Sequence, residues 1–200
     1  MKIAVDAMGG DYAPEEIVLG AIEAVKAYDY DVVLVGDETK IRQVLTTYGA
    51  KENERLSIVH ASEVIEMGEH PAQAIRRKKD ASIVVAARLV KNGACDAVVA
   101  AGSTGAAVTA ALFELGRIKG IERPCIATPI PSKKGITVLL DSGANSSSKP
   151  KHLVEGAIMG CHYAKYILGI EKPAVGLLNI GEEASKGNEL CQKTIPCWKI

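Results

Sequence analysis

Aromatic side chains are scarce: they make up 4% of the 200 residues, with one Trp and one Phe, against 48% hydrophobic residues in all. The core must therefore be built from Val, Ile, Leu and Ala, which suits a sheet covered closely by helices. No apolar run reaches the roughly 20 residues that a membrane-spanning helix needs. Met1 leads straight into Lys2-Ile3-Ala4-Val5-Asp6, a strand pattern with no charged-then-apolar leader. Charge of one sign is also lacking. The 24 basic and 24 acidic residues give a formal net charge of +0, so nothing global argues for nucleic acid as a partner. The five cysteines (Cys95, Cys125, Cys161, Cys191, Cys197) are scattered without a Cys-x-x-Cys pair, and read as free thiols of a cytoplasmic protein. No histidine stands near Cys191 and Cys197, and His60, His70, His152 and His162 show no ligand spacing, so no metal site is expected.

Three chemical signatures are missing too. No Gly-x-Gly-x-x-Gly follows the first strand, there is no Gly-x-x-x-x-Gly-Lys-Ser/Thr, and there is no Gly-x-Ser-x-Gly. A standard dinucleotide site, a P-loop and an activated serine are therefore not expected, and no cofactor is called for. If the chain is an enzyme, the nucleophile comes with the substrate.

Apolar runs alternate with amphipathic stretches. Strands are expected at 3–5, 32–35, 56–59, 97–100 and 175–179, each a short apolar run closed by polar or glycine residues. Helices are expected after Pro14 (face Ile17, Val18, Ala21, Ile22, Val25), after a cap at Asp37 or Thr39 (Ile41, Val44, Leu45), over 83–90, from Thr104 to about Leu115, after Pro150 and after Asn188. Segments 126–129 and 136–140 flank a Pro-Ser-Lys-Lys-Gly turn and read as a hairpin. Continuous apolar strands between such helices indicate an α/β chain with a largely parallel, mixed sheet buried on both faces. Pro196 falls inside the last helix, where proline costs about 3 kcal/mol. The unfinished strand–helix unit reads as a fragment or a shifted reading frame, with 191–200 an atypical tail.

In open α/β sheets ligands collect at the carboxyl ends of strands. Four polar, glycine-rich turns follow strands here: Asp6-Ala7-Met8-Gly9-Gly10-Asp11, Gly102-Ser103-Thr104-Gly105, Asp141-Ser142-Gly143-Ala144-Asn145, and Asn179-Ile180-Gly181-Glu182-Glu183 with Lys186 and Asn188 just beyond. The second, running from a strand into a small-residue helix, presents backbone N–H groups and the positive end of a helix dipole, a seat for phosphate or another oxyanion. Each turn also has a plain structural alternative. Gly9 and Gly10 would serve a tight turn, Asp6 and Asp11 would cap or hold a loop, and Gly102 and Gly105 would permit close packing. Asp141 and Asn145 would form Asx turns, and Lys186 would be a solvated lysine. The run Arg76-Arg77-Lys78-Lys79 is either a solvated face or a dock for an acidic partner.

Residues 1–14, Met-Lys-Ile-Ala-Val-Asp-Ala-Met-Gly-Gly-Asp-Tyr-Ala-Pro, closely resemble the opening of the bacterial phosphate acyltransferases of phospholipid synthesis. So do Arg76-Arg77-Lys78-Lys79, the stretch Ala101-Gly102-Ser103-Thr104-Gly105-Ala106, residues 116–124, and Leu177-Leu178-Asn179-Ile180-Gly181-Glu182-Glu183 with Lys186-Gly187-Asn188-Glu189-Leu190. These motifs occur in family order across residues 1–190. The resemblance implies an α/β/α sandwich similar to isocitrate and isopropylmalate dehydrogenases and to phosphotransacetylase. It implies that acyl-[acyl-carrier-protein] and inorganic phosphate give acyl phosphate and free carrier protein, feeding phospholipid synthesis. It also implies a homodimer and a catalytic role for Lys186. In this reading Asp6, Gly9, Gly10, Gly102, Ser103, Thr104, Gly105, Asp141, Asn145 and Asn188 bind substrate or phosphate, and Arg76, Arg77, Lys78 and Lys79 are candidates for carrier-protein docking.

Phosphate is already an anionic nucleophile, and a thiol of pKa about 8.5 is an easy leaving group, so the protein need supply only positioning and oxyanion stabilisation. Three departures stand out. Ser103 replaces a usual Asn, the segment after Asn145 lacks the usual Val-Asp, and the later half of the family pattern is absent. That half carries an Asp-Gly-Phe-Thr-Gly-Asn loop and the helices implied in dimerisation and in peripheral membrane contact. Residues 1–200 then read as one α/β domain, the N-terminal part of a longer family domain. Two alternatives stay open: a phosphotransacetylase-like transfer with coenzyme A thioesters, and a non-catalytic anion-binding fragment.

Overall fold

The structure, a computed structural model, describes residues 1–198 apart from 134, 144–146 and 184. Its contacts divide into two compact units, Met1–Gly116 and Arg117–Ile200.

The first unit is a three-layer α/β/α arrangement. Strands β1 (Lys2–Asp6), β2 (Asp31–Gly36), β3 (Leu56–His60) and β4 (Ala97–Ala100) form one parallel sheet in the order β3-β2-β1-β4. Alternation along β2 sorts its side chains between two faces. Val32 and Leu34 pack with Val18, Ala21 and Ile22 of α1 (Glu15–Ala27) and with Ile41 and Leu45 of α2 (Glu38–Thr47). Val33 and Val35 pack, with Ala4, against Val85 and Ala86 of α4 (Ser82–Lys91). Both faces are thus covered, as continuous apolar strands require.

The helix starts follow local chemistry. Glu15 and Glu16 lie in the first turn of α1, where the helix dipole favours negative charge. Asp37 caps α2 by accepting the Lys40 N–H at 3.1 Å, which settles the choice between Asp37 and Thr39. Two further helices, α3 (Pro71–Arg77) and α5 (Thr104–Glu114), pack with α4 through Ala74, Ile75, Val84, Ala106 and Ala110. Helix α3 has no counterpart among the expected elements. It is a short helix of about two turns opened by Pro71, and its buried residues are only Ala74 and Ile75.

Strand order places the site. The chain runs outward from β1 to β2 to β3, then returns to add β4 on the other side of β1. That reversal is a topological switch point, where the loops leaving adjacent strands diverge and leave room for a ligand. Asp6 and Ala100, the last residues of β1 and β4, are register partners.

In the second unit β5 (Ala127–Ser132) and β6 (Gly135–Leu140) form the expected hairpin, with Ser132 opposite Gly135. The parallel and antiparallel pairings therefore occur in two separate sheets. Helix α6 (Pro150–Tyr166) opens at Pro150 as expected and buries Ala157, Gly160 and Ala164. A Cβ on Gly160 would meet the Leu140 side chain, so the helix approaches the hairpin at its smallest residue. Asn188 caps α7 (Glu189–Thr194), accepting the Cys191 N–H at 2.9 Å. The helix then yields to a 3-10 turn over Ile195–Cys197, which absorbs Pro196.

The expected strand at 175–179 does not form. The segment makes no ladder among the described residues, and Leu178 is 84% exposed. Apolar composition makes a run suitable for a strand, but only a neighbouring strand with free backbone groups makes it one.

Candidate active site

The switch-point loops come together tightly. A Cβ on Gly102 would stand 2.9 Å from the Gly9 Cα, and one on Gly9 would stand 3.1 Å from the Gly102 Cα and 2.7 Å from Asp6 Oδ2. Glycine at both places is what lets the two backbones meet. Gly10 follows with φ 120°, a conformation that side chains disfavour.

Asp6 closes β1 at 5% exposure. Its Oδ1 accepts the Met8 N–H at 3.2 Å, and Gly9 and Ser82 line the same small cavity beside it. Burial pushes its pKa above the usual aspartate value, and the polar groups of Ser82, Met8 and Gly9 only partly oppose the shift.

Ser103 caps α5, its Oγ accepting the Ala106 N–H at 3.3 Å, while its hydroxyl proton remains available for donation. Thr104, exposed, is the first residue of the helix, so its amide and that of Gly105 have no intrahelical acceptor. Gly105 has a packing role as well: a Cβ there would lie 2.8 Å from Pro71 Cγ at the start of α3.

Asp6, Gly9, Ser82, Gly102, Ser103 and Ala106 surround a cavity of about 10 Å³, the room of about one water. The cavity is too small to enclose a polyatomic anion. Of the residues expected from sequence, the first unit brings together Asp6, Gly9, Gly10, Gly102 and Ser103. Ser82 was not among them. The signal for it was a lone polar residue directly before the buried run Ile83-Val84-Val85.

In the second unit the expected residues fall in two places. Lys186 and Asn188 lie in a loop that Asn179 closes: its Nδ2 donates to the Lys186 carbonyl at 3.1 Å, and its Oδ1 accepts the Ile180 N–H at 2.9 Å. Gly187, at φ 90°, passes so near that a Cβ would overlap the Asn179 side chain. The Lys186 side chain is exposed, and no ion pair holds its ammonium among the described residues. Asn188 is committed to capping α7.

Asp141 follows β6 with φ 61°, its N–H donating to the Ile126 carbonyl at 2.7 Å. It borders a cavity of about 1500 Å³ walled by Leu139, Leu140, Gly160 and Leu177, which Asn179 also lines and Lys186 does not. Asn145 lies outside the described residues.

The basic run divides. Lys78 is turned inward: its Nζ donates to the Val64 carbonyl at 2.7 Å and is paired with Glu69. Arg76 lies 5.8 Å from the centre of the Phe113 ring. Arg77 and Lys79 are exposed.

Among the described residues no group of three or more His, Cys, Asp and Glu could hold a metal ion. No helix among them is long and apolar enough to cross a membrane.

Comparison with known proteins adds to this geometry. The family model described as fatty acid synthesis protein matches residues 1–200. A phosphate acyltransferase of Desulfitobacterium hafniense (strain Y51) is 58% identical over 196 residues, covering 98% of this chain and 58% of that protein. A phosphate acyltransferase of Pelotomaculum thermopropionicum is 59% identical over 190 residues, covering 95% of this chain and 55% of that protein. The chain thus spans little more than half the length of these curated relatives. Among solved structures, the EutD phosphotransacetylase of Staphylococcus aureus superposes with a TM-score of 0.65 at 21% identity, over 98% of this chain and 63% of that one. At that identity the likeness is one of fold.

Proposed function

The chain belongs to the fatty acid synthesis protein family, and from that membership we propose that it carries out acyl transfer to inorganic phosphate. The acyl donor is acyl-[acyl-carrier-protein], and the products are acyl phosphate and free carrier protein, for phosphatidic acid and phospholipid synthesis. Relatives named phosphate acyltransferase, 58% identical over nearly all of this chain, support the reaction type. The observation that carries the site is the meeting of Gly9 and Gly102 beside the first turn of α5.

In the proposed reaction a phosphate oxygen attacks the thioester carbonyl carbon. The carbonyl oxygen takes up negative charge, the C–S bond breaks as the carbonyl reforms, and the thiolate departs and is protonated from solvent. No protein nucleophile is consumed. The amides of Thr104 and Gly105 and the Ser103 hydroxyl are suited to hold phosphate, because first-turn amides lack helix partners and the dipole favours an anion. Lys186 supplies positive charge for the anionic reactants, and the exposure of its side chain supports that role. Gly10 permits the turn, and Asp141, Asn145 and Asn188 belong to the substrate-binding set that the resemblance implies. Arg76, Arg77 and Lys79 are the docking candidates for the acidic carrier protein; Lys78 supports that face from inside.

The reading includes a cytoplasmic setting, from the scattered free cysteines, and a homodimer with peripheral membrane contact for the intact family. It makes residues 1–200 the N-terminal part of a longer α/β domain, with 191–200 its atypical tail. Radiolabelled phosphate and palmitoyl-carrier protein, given to a chain extended to the relatives' length, should yield labelled acyl phosphate. Activity with acetyl-coenzyme A but not with the carrier-protein thioester would replace this reading with a phosphotransacetylase one. Phosphate binding without turnover on either thioester would leave an anion-binding module.

A further inference from the structure

The connection from β3 to α3, residues 61–70, is the longest in the first unit. Its only ladder contact is a single bridge between Glu63 and Ala81, and its tip, Glu66-Met67-Gly68, is exposed. The same connection nevertheless walls the small cavity at the switch point, through Val64 and Ile65 opposite Gly9, Gly102 and Ser103. It also reaches α5 twice. Ile65 is buried in one cluster with Ala106 and Ala110, and Pro71 lies against Gly105, where a Cβ would stand 2.8 Å from its ring.

A loop that shapes a site needs something to hold it still. Here the fastening comes from Lys78, at the end of α3. Its Nζ donates to the Val64 carbonyl at 2.7 Å and pairs with Glu69 Oε1. That same carboxylate oxygen accepts the Glu66 N–H at 2.9 Å, and the Glu69 N–H donates to the Glu66 carbonyl at 3.1 Å. One ammonium thus closes the loop from both ends. The two side chains are 28% and 33% exposed, so water screens the pair only in part.

We propose that Lys78 is a positioning residue of the phosphate seat: by bridging the Val64 carbonyl and the Glu69 carboxylate it fixes residues 64–71 as a strap against the first turn of α5. Val64 and Ile65 then keep their place in the cavity wall, and Pro71 keeps its place on Gly105. The consequence for phosphate rests on the proposed acyl transfer to phosphate; the strap itself does not. Lys78 is a cation near an anion seat, so its charge alone would also favour phosphate. Glu69 separates the two roles, because its charge alone would disfavour phosphate whereas its bonds hold the strap.

The test uses the whole 200-residue chain, amide spectra and inorganic phosphate as the probe. Lys78→Met and Glu69→Met keep unbranched stems and remove the bridge from either side. Each should shift the Ile65 and Gly105 amide resonances, and each should weaken phosphate binding about two- to fivefold, the scale of one partly exposed ion pair. The double variant should lose little more than either single one. Lys78→Arg, which keeps a charged donor, should return the two signals and the affinity toward wild type. The Glu69 variant carries the test if the Lys78 variant does not fold.

Weaker binding in Lys78→Met with tighter binding in Glu69→Met would overturn the positioning role, since charge acting through space gives those opposite signs. Altered Ile65 and Gly105 signals with wild-type affinity would overturn it as well. Unaltered signals in both variants would overturn the strap. If the wild-type chain itself binds no phosphate, the phosphate reading fails, and the strap stands or falls on the two amides alone.

Discussion

Gly9 and Gly102 touch backbone to backbone: each lies where a Cβ on the other would stand about 3 Å from its Cα. The contact joins the loop after β1 to the loop after β4 where the strand order reverses. At Gly102 the obstructing atoms are all backbone, and at Gly9 the Gly102 backbone stands with the Asp6 carboxylate, so turning a side chain does not clear either place. Gly9→Ala and Gly102→Ala should each destabilise the chain by about 1–3 kcal/mol, the usual cost of overpacking a close-packed site. Gly20→Ala is the control. Gly20 lies within α1, and a Cβ there would meet nothing within 4 Å. That variant should stabilise by about 0.5–1 kcal/mol through helix propensity. Urea unfolding of the three variants checks both signs, and a Gly102 variant as stable as wild type would show that the loops are free to part.

Lys186 tests the chemistry rather than the fold. Its side chain is exposed, so Lys186→Ala should leave the unfolding midpoint in place. In a chain extended to the relatives' length the same change should add about 2.7–4 kcal/mol to the barrier, the scale of one lost oxyanion partner. The readout is the rate of acyl phosphate formation at saturating phosphate. A wild-type rate would remove Lys186 from the reaction.

Much of this was legible from sequence, and the gaps have physical causes. Strands β1 to β4 and helices α1, α2, α4, α5, α6 and α7 follow from apolar periodicity and from Pro14, Asp37, Pro150 and Asn188 at helix starts, all of which are local signals, whereas α3 is too short to show a period. The turns at Asp6 and Gly102 were recognisable one by one for the same reason. Their meeting was not, because strand order is set by tertiary packing. Ser82 escaped notice because the cavity it shares with Asp6 is built from residues distant in sequence, which leaves no periodic trace. The segment 175–179 misled in the opposite direction: its composition is that of a strand, but a ladder needs a second strand and composition cannot supply it. Lys78 looked like its neighbours in a basic run, yet one residue's rotation on α3 and its C-cap turned it toward Val64 and Glu69.

That division of the basic run makes its own prediction. Arg77→Glu and Lys79→Glu should weaken acyl-carrier-protein binding several-fold, with the loss fading as salt rises, because exposed charges act mainly on encounter. Lys78→Ala should instead lower stability by about 0.2–1 kcal/mol, the range for a partly exposed ion pair. Carrier affinity measured across a salt series, beside thermal melts, separates the two. Charge reversal at Arg77 and Lys79 without effect on affinity would end the docking role of this face.

Two aspartates in the first unit should respond to pH with opposite signs. Asp6 is buried, and its pKa lies above the usual value chiefly through desolvation. The native state then holds the Asp6 proton more tightly than the unfolded chain does. Its contribution is fully present below the unfolded pKa and is lost as pH rises through the folded one. Asp80 is the converse: the Ser62 hydroxyl at 2.6 Å and the Ser62 N–H at 2.8 Å hold its pKa below the usual value. Its contribution is present above the unfolded pKa and is lost as pH falls through the folded one. Asp6→Asn should therefore gain on wild type in relative stability as pH rises from the acid side. Asp80→Asn should fall behind wild type over the same interval. Urea midpoints of the three proteins, taken in steps from acid to neutral pH, read both slopes as differences, so the other carboxylates cancel. Parallel curves for Asp6→Asn and wild type would mean that the Asp6 carboxyl is as well solvated in the folded chain as in the unfolded one.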